Sequence, residues 1–210
     1  MLRSDVLITS VWEVHMVRIK IFLLIIGALS VFLMGKNAQA AVVKPMNLEE
    51  IITTAHYIFS GICISVDRRY DDVTDRDGIF YTFSVSKIIK GEESSEFTFK
   101  MSSVASDLGQ VPTFKPGEEV VLFLYGKSTQ GFTSPVGLGL GKFTVLSSPS
   151  GEKVVVNAHN NTDLFKDMNR TKYSARFSAS HAAEISNLMG QQSGAINYAL
   201  FLTFLEEMVH

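Results

Sequence analysis

The spacing of apolar and polar residues along the chain predicts a β-rich domain with helices at its two ends. Asn47 opens a short amphipathic helix, because its side chain can cap the first turn while Glu50 reaches back to the cap backbone. Runs of alternating or continuous apolar residues then predict strands separated by polar turns. The predicted strands span residues 57–66, 79–89, 97–101, 120–125, 142–146 and 153–156, with a short edge strand at 132–135.

The last quarter of the chain has a different pattern. Residues 159–178 are rich in Asn, Asp, Lys and Arg and predict a polar, irregular connector. Helices are predicted at about 180–189 and 195–209. Apolar residues cover much of the surface of the second helix, which is too wide an apolar face for a helix in water. We therefore expect this helix to dock on the rest of the domain.

These elements predict a mainly β, α+β fold. Six or seven short antiparallel strands suit a small OB-like β-barrel, with one helix at its N-terminus and two C-terminal helices. A two-sheet sandwich is the alternative. The predicted organisation is an export signal at 1–40, the barrel at 41–158, and the connector with its docked helices at 159–210.

The export signal is predicted from an apolar run of 14 residues at 21–34, which Arg18 and Lys20 precede. Ala38-Gln39-Ala40 follows the run as a small-residue cleavage pattern, so the mature chain is expected to begin at Ala41. The run is shorter than the roughly 20 residues that cross a bilayer. We therefore expect a secreted or periplasmic protein, and an uncleaved signal is the alternative. We also expect translation to start at Met16.

Composition narrows the function classes. The chain is 46% hydrophobic and 19% charged, with a net charge of −2. After residue 40 there are 15 basic and 19 acidic residues, and this acidic balance argues against a nucleic-acid partner. The single cysteine, Cys63, excludes an intrachain disulfide framework and a cysteine-cluster zinc site.

Two glycine- or acid-rich segments resemble binding loops only in part. Asp71, Asp75 and Asp77 are candidates for a calcium site. Val73 and Ser84 stand where an EF-hand needs acidic ligands, however, so a solvated hairpin turn at Asp77-Gly78 is expected instead. Residues 137–142 alternate Gly with Leu before a Lys, yet they lack the first Gly and the final Ser or Thr of a phosphate loop. The structural positions predicted instead are Gly61, Gly117, Gly139, Gly141 and Phe143.

No catalytic, cofactor-binding or metal-binding residue is predicted. A hydrolase site is the alternative, built on His159 with Asp163 or Asp167, or on His181. No nucleophile motif of the G-x-S-x-G type accompanies these histidines.

Several segments resemble a family of secreted bacterial proteins of unknown function. The resemblance is carried by 47–61, where His56 replaces the family's aspartate, by 79–91, by the Pro-Gly-Glu block within 111–124, and by 136–143, and it spans roughly 47–145. More distantly, the helix followed by a strand is similar to the OB-type barrels of netrin modules and metalloprotease inhibitors. Those families use an N-terminal cysteine or disulfides, which this chain lacks, so the resemblance implies a fold and export but no inhibitory residues.

Together these observations favour an exported, non-enzymatic binding protein whose partner is a protein or a component of the cell envelope. No nucleic-acid partner is expected, and contact with a membrane is expected only through an uncleaved signal. The alternatives are an inhibitor or accessory protein of a secreted protease and an extracytoplasmic hydrolase. No cofactor is expected.

Overall fold

The computed structural model describes residues 45–209, with the backbone alone at 179 and 180, so the predictions for the export signal lie outside the described residues. The strands are β1 (Tyr57–Asp71), β2 (Arg76–Lys90), β3 (Glu96–Ser102), β4 (Glu119–Leu124), β5 (Lys142–Ser147), β6 (Lys153–Asn157) and β7 (Ile196–Asn197). The helices are α1 (Leu48–Thr54), α2 (Ser103–Asp107), α3 (Arg170–Ser174), α4 (Ala179–Leu188) and α5 (Tyr198–Val209). A single 3₁₀ turn covers Leu138–Leu140. None of the helices in this part of the chain has the length and apolarity needed to cross a membrane.

The seven strands form one antiparallel sheet in the order β3-β2-β1-β4-β5-β6-β7. β4 returns to lie beside β1, so β1 to β4 follow a Greek-key order. The mainly β, α+β prediction is therefore confirmed at this level. The sheet does not close into a barrel, because β3 and β7 are its two edges, and the described residues contain no second sheet of a sandwich.

Apolar side chains pack on both faces of this sheet and form two separate cores. β4 shows the division, since alternate residues of a strand point to opposite faces. Val121 and Phe123 belong to the core beneath the helices, which we call the helix-side core. Val120, Leu122 and Leu124 belong to the core on the opposite face, which we call the inner core. The inner core is rich in aromatic rings: Phe59, Tyr81, Phe83, Phe99 and Phe114.

Helix α1 begins where the sequence predicts. The Asn47 side chain accepts a hydrogen bond from the Glu50 amide at 2.9 Å, and the Glu50 carboxylate accepts one from the Asn47 amide at 3.0 Å. The amide of Leu48 donates to the carbonyl of Leu164 at 2.7 Å. The capping box is thus confirmed, and α1 is also tied to the C-terminal third of the chain.

The first hairpin differs from its prediction. The turn lies at residues 72–75, and Asp77 and Gly78 are already strand residues paired with Tyr70 and Arg69. Asp75 supplies the left-handed backbone that a tight turn needs, with φ of 54°. The expectation of a turn at Asp77-Gly78 is wrong because Asp75, like a glycine, tolerates the left-handed backbone of a tight turn. With the turn at 72–75, β1 and β2 pair over more residues, as far as Asp71 and Arg76.

The segment after β6 is polar in sequence but not wholly exposed. Leu164, Phe165, Met168 and Tyr173 are buried in the helix-side core. The predicted irregular connector therefore carries core residues and a short helix, α3, because its few apolar residues are spaced among turns rather than at a helical or strand period.

The last helix starts later than predicted. Ile196 and Asn197 pair with β6 as a two-residue strand, and α5 then begins at Tyr198. Phe201, Phe204 and Leu205 of α5 are fully buried, whereas Leu200 is half-buried. The helix thus lies on the helix-side face of the sheet, against β2, β6 and β7, and its Phe201 ring packs on Phe123 of β4 and Phe143 of β5.

Candidate functional site

A cleft of about 400 Å³ opens between the start of α1 and the turns that follow β6. One wall contains the residues that precede and cap α1, and the other contains the segment 159–167. The cleft is lined by Pro45, Met46, Asn47, Glu50, Leu140, His159, Thr162, Asp163, Lys166 and Asp167. Its volume lies within the range usual for ligand sites in proteins.

Two buried asparagines shape the second wall. The Asn157 side-chain oxygen accepts from the amides of His159 and Asn161, each at 2.9 Å, and the Asn161 side-chain oxygen accepts from the Asn157 amide at 2.9 Å. The Asn161 amide group also donates to the carbonyls of Val155 and Gly194. These bonds replace regular secondary structure and hold the turn residues in place.

The same segment contains four of the positive-φ residues other than glycine found among residues 45–209. They are Asn160, Asn161, Asp163 and Asp167, with φ between 52° and 62°. Asn and Asp tolerate this left-handed conformation better than other side chains. The Asn47 side chain donates to the Lys166 carbonyl at 3.0 Å and joins the two walls of the cleft.

The structure brings the hydrolase candidates His159, Asp163 and Asp167 to this one cleft. In the described part of the chain, no hydrogen bond or ion pair joins the His159 ring to either carboxylate or to the Thr162 hydroxyl. A nucleophile bonded to a base, which covalent hydrolysis requires, is therefore not formed here. His181 lies elsewhere, exposed at the start of α4, with its Nδ1 3.1 Å from the Ser178 hydroxyl.

The three aspartates of the first hairpin are held apart by separate partners. The Asp71 carboxylate pairs with Lys100 at 2.5 Å and accepts from the Thr74 hydroxyl at 2.5 Å. Asp75 accepts from the Tyr70 hydroxyl, and Asp77 lies 4.0 Å from the Arg68 guanidinium. Across residues 45–209, no group of three His, Cys, Asp or Glu side chains is arranged to hold a metal ion.

Lys100 is a residue that the sequence analysis did not single out. Its side chain is 9% exposed, and its ammonium lies 4.4 Å from the centre of the Phe132 ring as well as against Asp71. The hydrogen bond from Lys100, supported by that from Thr74, holds the pKa of Asp71 below its ordinary value. The position of a lysine within the apolar pattern of β3 could have indicated a buried charge in the sequence, but its partner Asp71 lies 29 residues away along the chain.

The glycines predicted as structural lie at close approaches or turns. A Cβ added to Gly61 or Gly141 would lie 2.6 Å from a backbone carbonyl oxygen, that of Ser84 or Val136. Gly117 has φ of +85°, and a Cβ on Gly139 would lie 2.7 Å from the Ala158 Cβ. β5 begins at Lys142, so a strand rather than a helix follows the glycine run, and its Phe143 is fully buried.

The only cysteine among the described residues, Cys63, is buried in the inner core. Burial raises the pKa of its thiol, and the charge of Glu118 raises it further. A thiol in this setting is unreactive and packs as a small apolar side chain.

Comparison with known proteins supplies no relative: no protein-family model matches the chain, and no curated protein matches it.

Proposed function

We propose that this chain is an exported, non-enzymatic binding protein that holds its partner in the cleft between α1 and the segment 159–167. One observation carries this proposal. His159, Thr162, Asp163, Lys166 and Asp167 line the cleft as exposed residues, and within residues 45–209 their side chains make no hydrogen bond or ion pair with another residue. Polar groups gathered beside apolar side chains in one cleft are what a ligand site needs.

The lining favours a ligand with a positive charge and an apolar stem. Asp163 and Asp167 outnumber Lys166 as charged groups, while Met46 and Leu140 contribute apolar lining. A lysine side chain of a partner protein has both features, because its methylene stem packs on apolar surface while its ammonium meets carboxylates. We therefore place a basic side chain of an exported partner protein in this cleft.

The proposal includes an OB-like architecture for β1 to β5. The OB-fold is a five-stranded, partly open Greek-key barrel. Its support here is the order β3-β2-β1-β4-β5, together with one parallel bridge between Lys100 and Phe132 across the gap beside β3. A barrel of this kind presents its loops and faces for binding without any catalytic group.

Export is supported by the sequence of the first 40 residues. The test is N-terminal sequencing of the protein recovered from outside the cytoplasm. A mature species that starts at Ala41 agrees with cleavage after Ala38-Gln39-Ala40. A species that retains Met1 or Met16 contradicts it.

The binding proposal is tested with a short lysine-containing peptide and the same peptide carrying acetyl-lysine, by titration calorimetry. We expect the lysine peptide alone to bind, and we expect Asp163→Asn/Asp167→Asn to weaken binding at least about tenfold, the usual scale for a lost charge-assisted contact. Asp72→Asn is the matched control, because Asp72 is exposed in the turn at 72–75. Equal binding of both peptides, or no binding, contradicts the proposal.

A further inference from the structure

The gap in the sheet beside β3 is bridged by a single irregular segment. Residues 126–134, which we call the strap, follow the end of β4, and the chain returns to β4 at Pro135, which bridges to Leu124. One backbone hydrogen bond joins the strap to β3, from the Thr133 amide to the Lys100 carbonyl at 3.0 Å. Since a continuous ladder would add a bond at every second residue, the strap is held by far less backbone pairing than the strands are.

The Lys100 side chain adds further contacts at this junction, and the Lys127 ammonium of the strap lies 5.9 Å from the centre of the Phe97 ring of β3. The Lys100 ammonium lies 2.5 Å from the Asp71 carboxylate and 4.4 Å from the centre of the Phe132 ring. The two charged side chains are only 9% and 11% exposed. Lys100 therefore connects three segments: its own strand, the first hairpin turn through Asp71, and the strap through Phe132.

The strap keeps its own shape by internal hydrogen bonds. The Ser128 amide donates to the Phe132 carbonyl at 2.8 Å, and the Gly131 amide donates to the Ser128 carbonyl at 2.8 Å. At its base, the Thr133 hydroxyl donates to the Tyr125 carbonyl at 2.7 Å. A loop with this internal bonding can move as one body, with the residues at its two ends absorbing the change.

The strap also covers apolar surface. A cavity of about 270 Å³ lies between the strap, the end of β3 and α2, and its apolar lining includes Met101, Val111, Tyr125 and Phe132. Met101 belongs to the inner core. Movement of the strap away from β3 would therefore open a route from solvent to the inner core.

We propose that the strap is a gate over the inner core and that the Lys100–Asp71 pair is the latch that keeps it closed. The pair fixes the position of the ammonium against the Phe132 ring, and the ring holds the strap. Loss of either charge frees the strap without breaking the strand pairs of the sheet. This inference does not depend on the cleft or on its ligand.

The test is amide hydrogen exchange of the full mature protein, followed residue by residue. We expect Lys100→Met and Asp71→Asn each to speed exchange at Thr133 by at least about tenfold, because local opening controls the exchange of an amide bonded at such a junction. Amides in the middle of β1 and β4 should keep their rates. Lys100→Arg, which retains the charge, should restore slow exchange at Thr133.

Lys142→Met is the matched control. Lys142 pairs with Glu118 at 2.6 Å and lies 4.6 Å from the Phe114 ring, but it does not contact the strap. Because a single neutralisation leaves one buried charge unpaired, Lys100→Met/Asp71→Leu provides a variant without that penalty. The gate is contradicted if Thr133 exchanges no faster in Lys100→Met, Asp71→Asn and the double variant than in Lys142→Met, or if all amides speed up together.

Discussion

Two lysines that approach the interior of this protein have a carboxylate beside them. Lys100 lies against Asp71, and Lys142 lies against Glu118. A buried charge without a partner is strongly destabilising, so these pairs are needed once the charges are buried. The sequence does not reveal them, because each pair joins residues more than twenty positions apart whose contact depends on the register of the folded sheet.

The Asp71 pair leads to a prediction about acid stability. The hydrogen bond from Lys100 lowers the pKa of Asp71 in the folded state. Because the pKa of Asp71 is lower in the folded state than in the unfolded state, its carboxylate stabilises the fold at pH values above the unfolded pKa, about 3.9 for Asp. This stabilisation is lost as the pH falls through the lower, folded-state pKa. We expect the melting temperature of Asp71→Asn to lie below that of the wild type at pH 7 and to converge with it near pH 2.

Thermal melts of both proteins from pH 7 to pH 2 measure this convergence. Asp72→Asn, in the exposed turn, should melt with the wild type at every pH. A constant difference between Asp71→Asn and the wild type across the range would mean that the ionisation of Asp71 does not contribute to stability.

Phe123 gives a second prediction about stability. Its side chain is fully buried and its ring centre lies 5.4 Å from that of Phe143 and 6.5 Å from that of Phe201. Phe123→Ala should lower the free energy of unfolding by about 3–5 kcal/mol, because truncation leaves a cavity in the helix-side core. Chemical denaturation measures the loss. Leu146→Ala, at a side chain 48% exposed, should change it by less than about 1 kcal/mol.

The sequence predicts a helix or a hairpin correctly where all the residues that define it lie close together in the chain. The capping box at Asn47 and Glu50 and the hairpin of β5 and β6 are such cases, because the residues that define them are neighbours in the chain. Helix α2 was not predicted, although Ser102 caps it, because five residues are too few to show a helical period. The strand Ile196–Asn197 was also missed, since its partner in β6 is distant in sequence.

The N-terminal cap of α1 leads to a prediction about the stability of this helix. Asn47→Ala removes the bond from the Glu50 amide and also the bond to the Lys166 carbonyl. We expect a loss of about 0.5–2 kcal/mol in the free energy of unfolding, the usual cost of removing an N-cap side chain. Denaturation of this variant beside Thr54→Ala, at the exposed end of α1, measures it. Equal stability of the two variants would show that the cap does not stabilise α1.

One sheet supports two cores, and this arrangement explains why the fold was predicted only in part. The apolar run of β4 agrees with its two buried faces, whereas Ile62 and Ile64, on an apolar pattern in β1, are 38% and 46% exposed. Whether the sheet closes depends on contacts between β3 and the strap, which involve one backbone bond and no strand pattern. The cleft likewise required the structure, because its two walls come from residues 45–50 and 159–167.

The helix-side core provides the final prediction. Of its buried residues, Leu164, Phe165, Ile185, Ile196, Phe201, Phe204 and Leu205 all follow residue 158. Burial of an apolar side chain of this size contributes roughly 1.5–3 kcal/mol, so the loss of several exceeds the about 5–15 kcal/mol that stabilises a typical domain. A chain shortened to end at Ala158 would expose Val121, Phe123 and Phe143 on the outer face of the sheet.

We therefore expect the shortened chain to lose its cooperative thermal transition and to bind a hydrophobic dye, whereas Leu200→Ala in the full chain should keep both properties of the wild type. Leu200 is only half-buried, so its truncation removes little of the core. Calorimetry and dye fluorescence measure the two properties. A shortened chain that melted cooperatively at the wild-type temperature would show that β1, β4 and β5 do not need the helices. The docking of α5 would then serve another purpose than stability.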